Sequence, residues 1–117
     1  MNRMLSATLF ALSFSLVSHN ALADCNLPAG PIIPDGNVAS EDELISAQKA
    51  MKLYQESLLD YRECLDAQVA DLDPEAETTE AKKLEVLALF NASIESEERV
   101  ANEFNQSVRA YKARQPQ

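Results

Sequence analysis

The chain has 117 residues, a formal net charge of −9 and only one histidine. A surface this acidic repels phosphate backbones and anionic lipids, so the composition argues against nucleic acid as a partner. The length fits one small domain rather than several.

Residues 1–23 are predicted to be a secretory signal peptide and not part of the fold. Arg3 supplies a positive start, and residues 4–17 are apolar apart from serine and threonine. Ala21-Leu22-Ala23 has the small-x-small pattern of a signal-peptidase site. Because an apolar run of about 14 residues is too short to span a bilayer, no stable membrane anchor is expected.

Cleavage after residue 23 would leave 117 − 23 = 94 residues in the periplasm or the medium. Without Arg3, 10 − 1 = 9 basic residues face 19 acidic ones, a net charge of 9 − 19 = −10. Lipoprotein processing at Cys25 is the competing interpretation. It is disfavoured because Asp24 stands where that processing needs a small residue.

Residues 24–39 are predicted to form an extended, proline-rich arm. Prolines at positions 28, 31 and 34 recur every three residues, which is the period of a polyproline II helix. The segment Pro34-Asp35-Gly36-Asn37 then predicts a turn into the following helix.

A long first helix is predicted over residues 40–72. Ser40 and Glu43 have the spacing of a capping box at its start. The apolar positions then step by three and four, the heptad pattern of a coiled coil or a helical hairpin. These positions are Leu44, Ala47, Met51, Tyr54, Leu58, Tyr61, Leu65 and Leu72, with Gln68 as the polar exception.

A second helix is predicted over residues 74–113, with residues 115–117 fraying. Asp73 as cap and Pro74 as first residue favour the early start, and Thr78 or Thr79 is the alternative start. The predicted inner stripe is Leu87, Phe90, Ile94, Glu97, Ala101, Phe104, Val108 and Tyr111.

Two matched stripes and a short link predict an all-α fold, a long antiparallel hairpin over residues 40–114. Paired residue numbers should sum to about 151 if the chain reverses in the predicted link. Tyr54 would then lie near Glu97 or Glu98.

Cys25 and Cys64 are predicted to form a disulfide, since two cysteines in an exported chain most economically pair with each other. The arm is long enough to bring Cys25 back to Cys64, because the 15 residue steps from Cys25 to Ser40 span about 46 Å as polyproline II. The helix from Ser40 to Cys64 is only about 36 Å long. A folded-back arm would bring residue 32 or 33 near Leu53.

The sequence predicts neither an enzyme nor a resident cofactor. His19 leaves with the signal peptide, and no nucleophile, general-base or phosphate-loop pattern is present. Four acidic residues at the link are weak candidates for a divalent-cation site: Asp71, Asp73, Glu75 and Glu77. The run lacks the glycine and terminal glutamate of an EF-hand loop, so a solvated helix junction is the favoured interpretation.

Five apolar residues are predicted to point away from the contact between the helices. They are Ile45, Leu59, Val86, Leu89 and Val100. A single hairpin would leave them in water, so they are candidates for self-association into a four-helix bundle or for a protein partner. Scattered exposed apolar residues are also normal on a protein surface.

Several short motifs resemble a group of short, uncharacterised exported proteins of Gram-negative bacteria. These motifs are Pro34-Asp35-Gly36, Tyr61-Arg62-Glu63-Cys64-Leu65, Glu103-Phe104-Asn105 and Val108-Arg109-Ala110-Tyr111-Lys112. The resemblance implies a periplasmic or secreted location and a paired Cys25 and Cys64. It implies no activity and no binding residues.

The sequence therefore favours an exported, non-enzymatic helical hairpin that acts through protein contacts, including contacts with its own copies. The alternative function is binding of a small ligand or a divalent cation, at the acidic link or in a groove between the helices.

Overall fold

The computed structural model describes residues 24–116. Its two helices are α1 (Glu41–Ala70) and α2 (Thr79–Ala113), they pack against each other, and the described part contains no strand. The all-α hairpin fold is therefore confirmed. The predicted signal peptide over residues 1–23 and the end of the predicted frayed tail, Gln117, lie outside the described residues.

α1 begins as its sequence predicts. The Glu43 amide donates to Ser40 Oγ at 3.2 Å, and the Ser40 amide donates to Glu43 Oε2 at 2.7 Å, which completes the capping box. The buried residues of α1 all belong to the predicted stripe: Leu44, Ala47, Tyr54, Leu58, Tyr61 and Leu65. The helix ends at Ala70, two residues before the predicted position.

α2 begins at Thr79, so the predicted start at Pro74 is wrong and the later alternative is correct. Asp73 does not cap a helix here. Its Oδ1 accepts the Glu75 amide at 2.9 Å, and its carbonyl accepts both the Ala76 amide at 3.2 Å and the Thr79 hydroxyl. These bonds close turns that reverse the chain, so the first helical turn forms only after them.

The inner face of α2 is built on small and β-branched residues at every seventh position. They are Thr79, Val86, Ser93, Val100 and Ser107, of which Val86 is half-buried and the other four are buried. The predicted stripe placed Leu87 and Ile94 there, but these are 53% and 37% exposed. Small side chains let α2 approach α1 closely, and the bulkier neighbours lie on the flank of the helix.

The arm lies along one side of the hairpin and contacts both helices. The predicted Cys25–Cys64 disulfide is present, with Cα atoms 5.8 Å apart. Farther along the arm, Ile33 packs against a core of Tyr54, Leu58 and Val100. Leu53, the predicted neighbour of the folded-back arm, is 64% exposed instead. The arm therefore fills the groove between the helices rather than the flank of α1.

The C-terminal part of the arm is held by α2. Ser107 Oγ donates to the Pro34 carbonyl at 2.5 Å. The Arg114 guanidinium donates to the Gly36 carbonyl at 2.9 Å and also to the Ala39 carbonyl. Gly36 is buried on the backbone of Ser107, where a Cβ atom would lie 1.8 Å from the Ser107 carbonyl oxygen. Only glycine permits this close approach.

Candidate interaction surface

Two packed helices leave a groove on each side, and the arm fills one of them. Depressions on the side of this covered groove are lined by arm residues such as Asp24, Ile33 and Pro34. One of them also includes α1, one includes α2, and the one at Asp24 includes both helices. The opposite side, called the open groove below, is lined by none of the arm residues that the structure describes.

The open groove is formed by two rows of side chains, one from each helix, at helical spacings of three, four and seven residues. The α1 row includes Ile45, Gln48, Gln55, Leu59, Arg62 and Val69. The α2 row includes Leu87, Phe90, Ile94, Glu97, Phe104 and Val108. Much of the stripe predicted for the inner face of α2 thus lies on this flank.

Each end of the open groove is a shallow apolar depression. Near the chain termini, Ile45 meets Phe104 and Val108 around a volume of about 270 Å³. Near the link, Val69 meets Leu87 and Phe90 around about 340 Å³. The two depressions have similar size and similar side chains, although they lie at opposite ends of the hairpin.

Arg62 connects the helices in the middle of the open groove. Its Nη2 donates to Glu97 Oε2 at 2.6 Å, and its Nε donates to Ser93 Oγ at 2.9 Å. The guanidinium carbon also lies 5.9 Å from the centroid of the Phe90 ring. The Arg62 side chain is 14% exposed and that of Glu97 is 28% exposed, so the ion pair is partly buried. The bond from Arg62 to Ser93 adds a further contact between the helices.

Two further polar contacts join the helices, one next to the arm at Tyr54, whose hydroxyl would lie 3.9 Å from a Cβ atom at Gly30, and one at Gln55 beside the ion pair. The hydroxyls of Tyr54 and Ser96 hydrogen-bond each other at 2.9 Å, and Gln55 Nε2 donates to Glu97 Oε1 at 3.3 Å. The partner of the Tyr54 hydroxyl is Ser96, one residue before the predicted neighbour Glu97, whose carboxylate accepts from Arg62 and Gln55 instead. The predicted register is nonetheless within about one residue, since the observed Tyr54–Ser96 numbers sum to 54 + 96 = 150.

Two of the five apolar residues predicted to point away from the helix contact do not. Val100 is 3% exposed and belongs to the core with Tyr54 and Leu58, and Val86 is half-buried. Both lie on the row of small residues that forms the inner face of α2. Those two predictions are therefore wrong, for the same reason that the stripe was misplaced.

The other three predicted candidates are exposed but do not share one surface. Ile45 is 41% exposed and lines a depression of the open groove. Leu59 is 57% exposed, and its helical spacing from Gln55 and Arg62 places it on the same row of α1. Leu89 instead lines a depression of the covered groove beside Asp24. Ile94 was predicted to lie on the inner face of α2, but it is 37% exposed. The seven-residue spacing of the small residues was the sequence signal that could have placed it on the flank.

The acidic link does not gather its side chains into a site. Asp71, Asp73, Glu75 and Glu77 are all exposed, and the Asp73 carboxylate already accepts the Glu75 amide. Over residues 24–116, no three acidic, histidine or cysteine side chains are arranged to hold a metal ion. The geometry lends no support to a cation site at the link.

Among the carboxyl groups of residues 24–116, two have clearly shifted pKa values, and both are local backbone caps. The Ser40 amide and hydroxyl lower the pKa of Glu43, and the Asn37 amide and side chain lower the pKa of Asp35. Both carboxylates are exposed. Their shifts reflect helix and turn capping rather than a prepared catalytic acid or base.

Comparisons of the chain with protein-family models, curated proteins and solved structures find no match. The resemblance to short exported proteins therefore stays a prediction. Among the described residues, neither helix combines the length and apolar character needed to cross a membrane.

Proposed function

We propose that the chain is an exported helical hairpin that acts through protein contacts made by its open groove. The observation that carries this proposal is that the arm covers only one of the two grooves between the helices. The arm covers one groove, while Leu59, Leu87 and Ile94 remain 57%, 53% and 37% exposed along the other. Exposed apolar side chains that gather along one groove are typical of a protein-interaction site.

Export is part of the same proposal. The disulfide between Cys25 and Cys64 is a bond that persists in the periplasm or outside the cell, and is rare in the cytosol. It joins the arm to α1, so it also keeps the arm in the covered groove. An oxidising compartment would thereby favour a hairpin with one groove available.

Photo-crosslinking in the producing cells tests the proposal. A photoreactive amino acid at Ile94 samples the open groove, and the same amino acid at Leu53, which is 64% exposed on the arm-side flank of α1, is the control. We expect discrete protein adducts from position 94 and few from position 53. Equal yields, or no protein adduct from either position, would contradict the proposal and favour the small-ligand alternative.

A further inference from the structure

We infer that the occupant of the open groove is a second copy of this chain, packed face to face and antiparallel. The link of each copy would lie at the terminal end of the other, and the two hairpins would form a four-helix bundle. This inference rests on the proposed function and identifies the partner of the same surface.

The size of the open face suits a stable dimer. α1 has 30 residues, so the hairpin is about 45 Å long at 1.5 Å per residue. Two helices side by side are about 20 Å wide. The resulting face of about 900 Å² compares with the roughly 800 Å² that each partner contributes to a standard protein interface.

The pattern along the groove is self-complementary when one copy is reversed. A two-fold axis through the middle would place the depression of Ile45 and Phe104 against the depression of Val69 and Phe90 in the other copy. Leu59 lies near the middle of its row, so it would face its own counterpart. An isologous contact of this type closes at two copies and leaves no unsatisfied apolar end.

The internal pairing of the polar residues in the middle lowers the cost of this burial. Arg62 and Glu97 are already paired within each copy, and Arg62 also donates to Ser93. Covering the pair removes both charges from water at some cost, but it buries no isolated charge, which would cost more.

Charge decides between the antiparallel and the parallel arrangement. Residues 56–99, the half of the hairpin that contains the link, carry 13 acidic and 4 basic side chains. Residues 40–55 and 100–114, the terminal half, carry 4 acidic and 5 basic side chains. A parallel dimer would place the acidic halves together, whereas the antiparallel dimer sets each acidic half against a nearly neutral one.

A lysine crosslink tests both the association and its direction. Lys83 and Lys112 are separated by 112 − 83 = 29 residues of α2, so they lie about 44 Å apart within one chain. A short amine-reactive crosslinker cannot span that distance. In the antiparallel dimer, Lys83 of one copy lies near Lys112 of the other. In a parallel dimer, equivalent lysines would be neighbours instead.

The expected result for the purified mature chain is a solution mass of two copies and a Lys83–Lys112 crosslink found only in the dimer fraction. Leu59→Lys should convert the dimer to a monomer, because two added cations would meet near the axis. Leu53→Lys adds the same charge to an exposed leucine outside the groove and should leave the dimer intact. Unchanged helix content by circular dichroism in both variants shows that the hairpin itself is preserved.

Three outcomes overturn the inference. A dimer that lacks the Lys83–Lys112 crosslink refutes the antiparallel arrangement, and a dimer that survives Leu59→Lys refutes the use of the open groove. A monomer at high micromolar concentration refutes self-association. In that case, a foreign protein captured from position 94 would leave the proposed function standing, and the absence of any adduct would overturn both.

Discussion

Arg62 is the side chain that joins α1 and α2 across the open groove. It lies at the edge of the inner face of α1 and reaches Ser93 and Glu97 on α2. An arginine has the length and the planar donor geometry for such a bridge, whereas a lysine would make only one of these contacts well. The polar contacts in the groove are therefore structural, and they hold the register of the hairpin.

Arg62→Met should lower the free energy of unfolding by about 1–3 kcal/mol, since it leaves the Glu97 carboxylate and the Ser93 hydroxyl with fewer partners. The matched control is Arg99→Met, which breaks the ion pair between Arg99 and Glu103. The Arg99 side chain is 62% exposed and that of Glu103 is 48% exposed. An exposed pair contributes little, so the control should change stability by less than about 1 kcal/mol. Urea denaturation measures both. Equal losses would show that Arg62 is no more structural than a surface arginine.

Glu43 makes the start of α1 sensitive to acid. Ser40 lowers its pKa in the folded protein, so its contribution to stability is fully present above the pKa of the unfolded chain. That contribution is lost as the pH falls through the lower folded-state pKa. Glu43→Gln should therefore flatten the pH dependence of the melting temperature in this acidic window, while Asp42→Asn leaves the capping box and its pH dependence in place. Identical profiles for the two variants would contradict the assignment.

Gly36 and Gly30 provide a matched pair on the arm. A Cβ atom at Gly36 would clash with the Ser107 backbone, whereas one at Gly30 would lie 3.5 Å from Val100, an ordinary contact. Gly36→Ala should therefore cost about 1–3 kcal/mol by lifting the turn from α2. Gly30→Ala should be neutral, or stabilising by up to about 1 kcal/mol through the unfolded chain. Thermal denaturation of both variants checks this; similar melting temperatures would refute the close approach at Gly36.

Among the elements, the arm determines which groove is closed. It has no helix or strand of its own, and it is fixed at two places. The disulfide holds its N-terminal part on α1, and Ser107 with Arg114 hold residues 34–39 on α2. Between these places, Ile33 contributes to the core. Losing either attachment should therefore free only the adjacent part of the arm.

Cys64→Ser should lower stability by about 4 kcal/mol, because the lost disulfide closes a loop with a sequence separation of 39. Limited proteolysis should then cut near residues 25–30 and spare residues 34–39, which α2 still holds. A Cys25→Ser, Cys64→Ser double variant removes any effect of the unpaired thiol and should behave in the same way. Cleavage throughout the arm would show that the contacts to Ser107 and Arg114 do not hold it.

The elements also show how far sequence pattern could predict this structure. α1 was predictable because its capping box and its large apolar residues give one consistent heptad row. The disulfide was predictable because only two cysteines are available and the arm is long enough. The helix α2 was predictable but its inner face was not, because that face uses Ser93 and Ser107, whereas hydrophobic periodicity selects the bulkier Leu87 and Ile94. Burial there depends on close helix approach, which residue hydrophobicity does not encode.

The sequence offered both starts of α2 but could not decide between them, and it could not predict the Arg62 bridge. Asp73-Pro74 has the pattern of a helix start, yet the turn that reverses the chain competes for the same carboxylate and carbonyl. Long polar side chains such as Arg62 have many possible partners, and only the relative position of the two helices selects Glu97.

At the scale of the whole molecule, the hairpin presents two unlike sides. One side carries its own extended segment, covalently attached to α1 through the Cys25–Cys64 disulfide. The other side has an apolar depression at each end and a satisfied ion pair in the middle. The negative charge is concentrated in the half that contains the link, which restricts the orientation of any acidic partner, including a second copy.

Hydroxyl-radical footprinting of the chain in its native extract tests most directly whether the open groove is occupied. The oxidation of Leu59, Leu87 and Ile94 would be compared with that of the dilute purified chain, with Leu53 as the internal reference. We predict selective protection of the three groove residues in the extract and no change at Leu53. If the groove residues are oxidised as readily in the extract as in the dilute chain, the groove is unoccupied and the account is wrong.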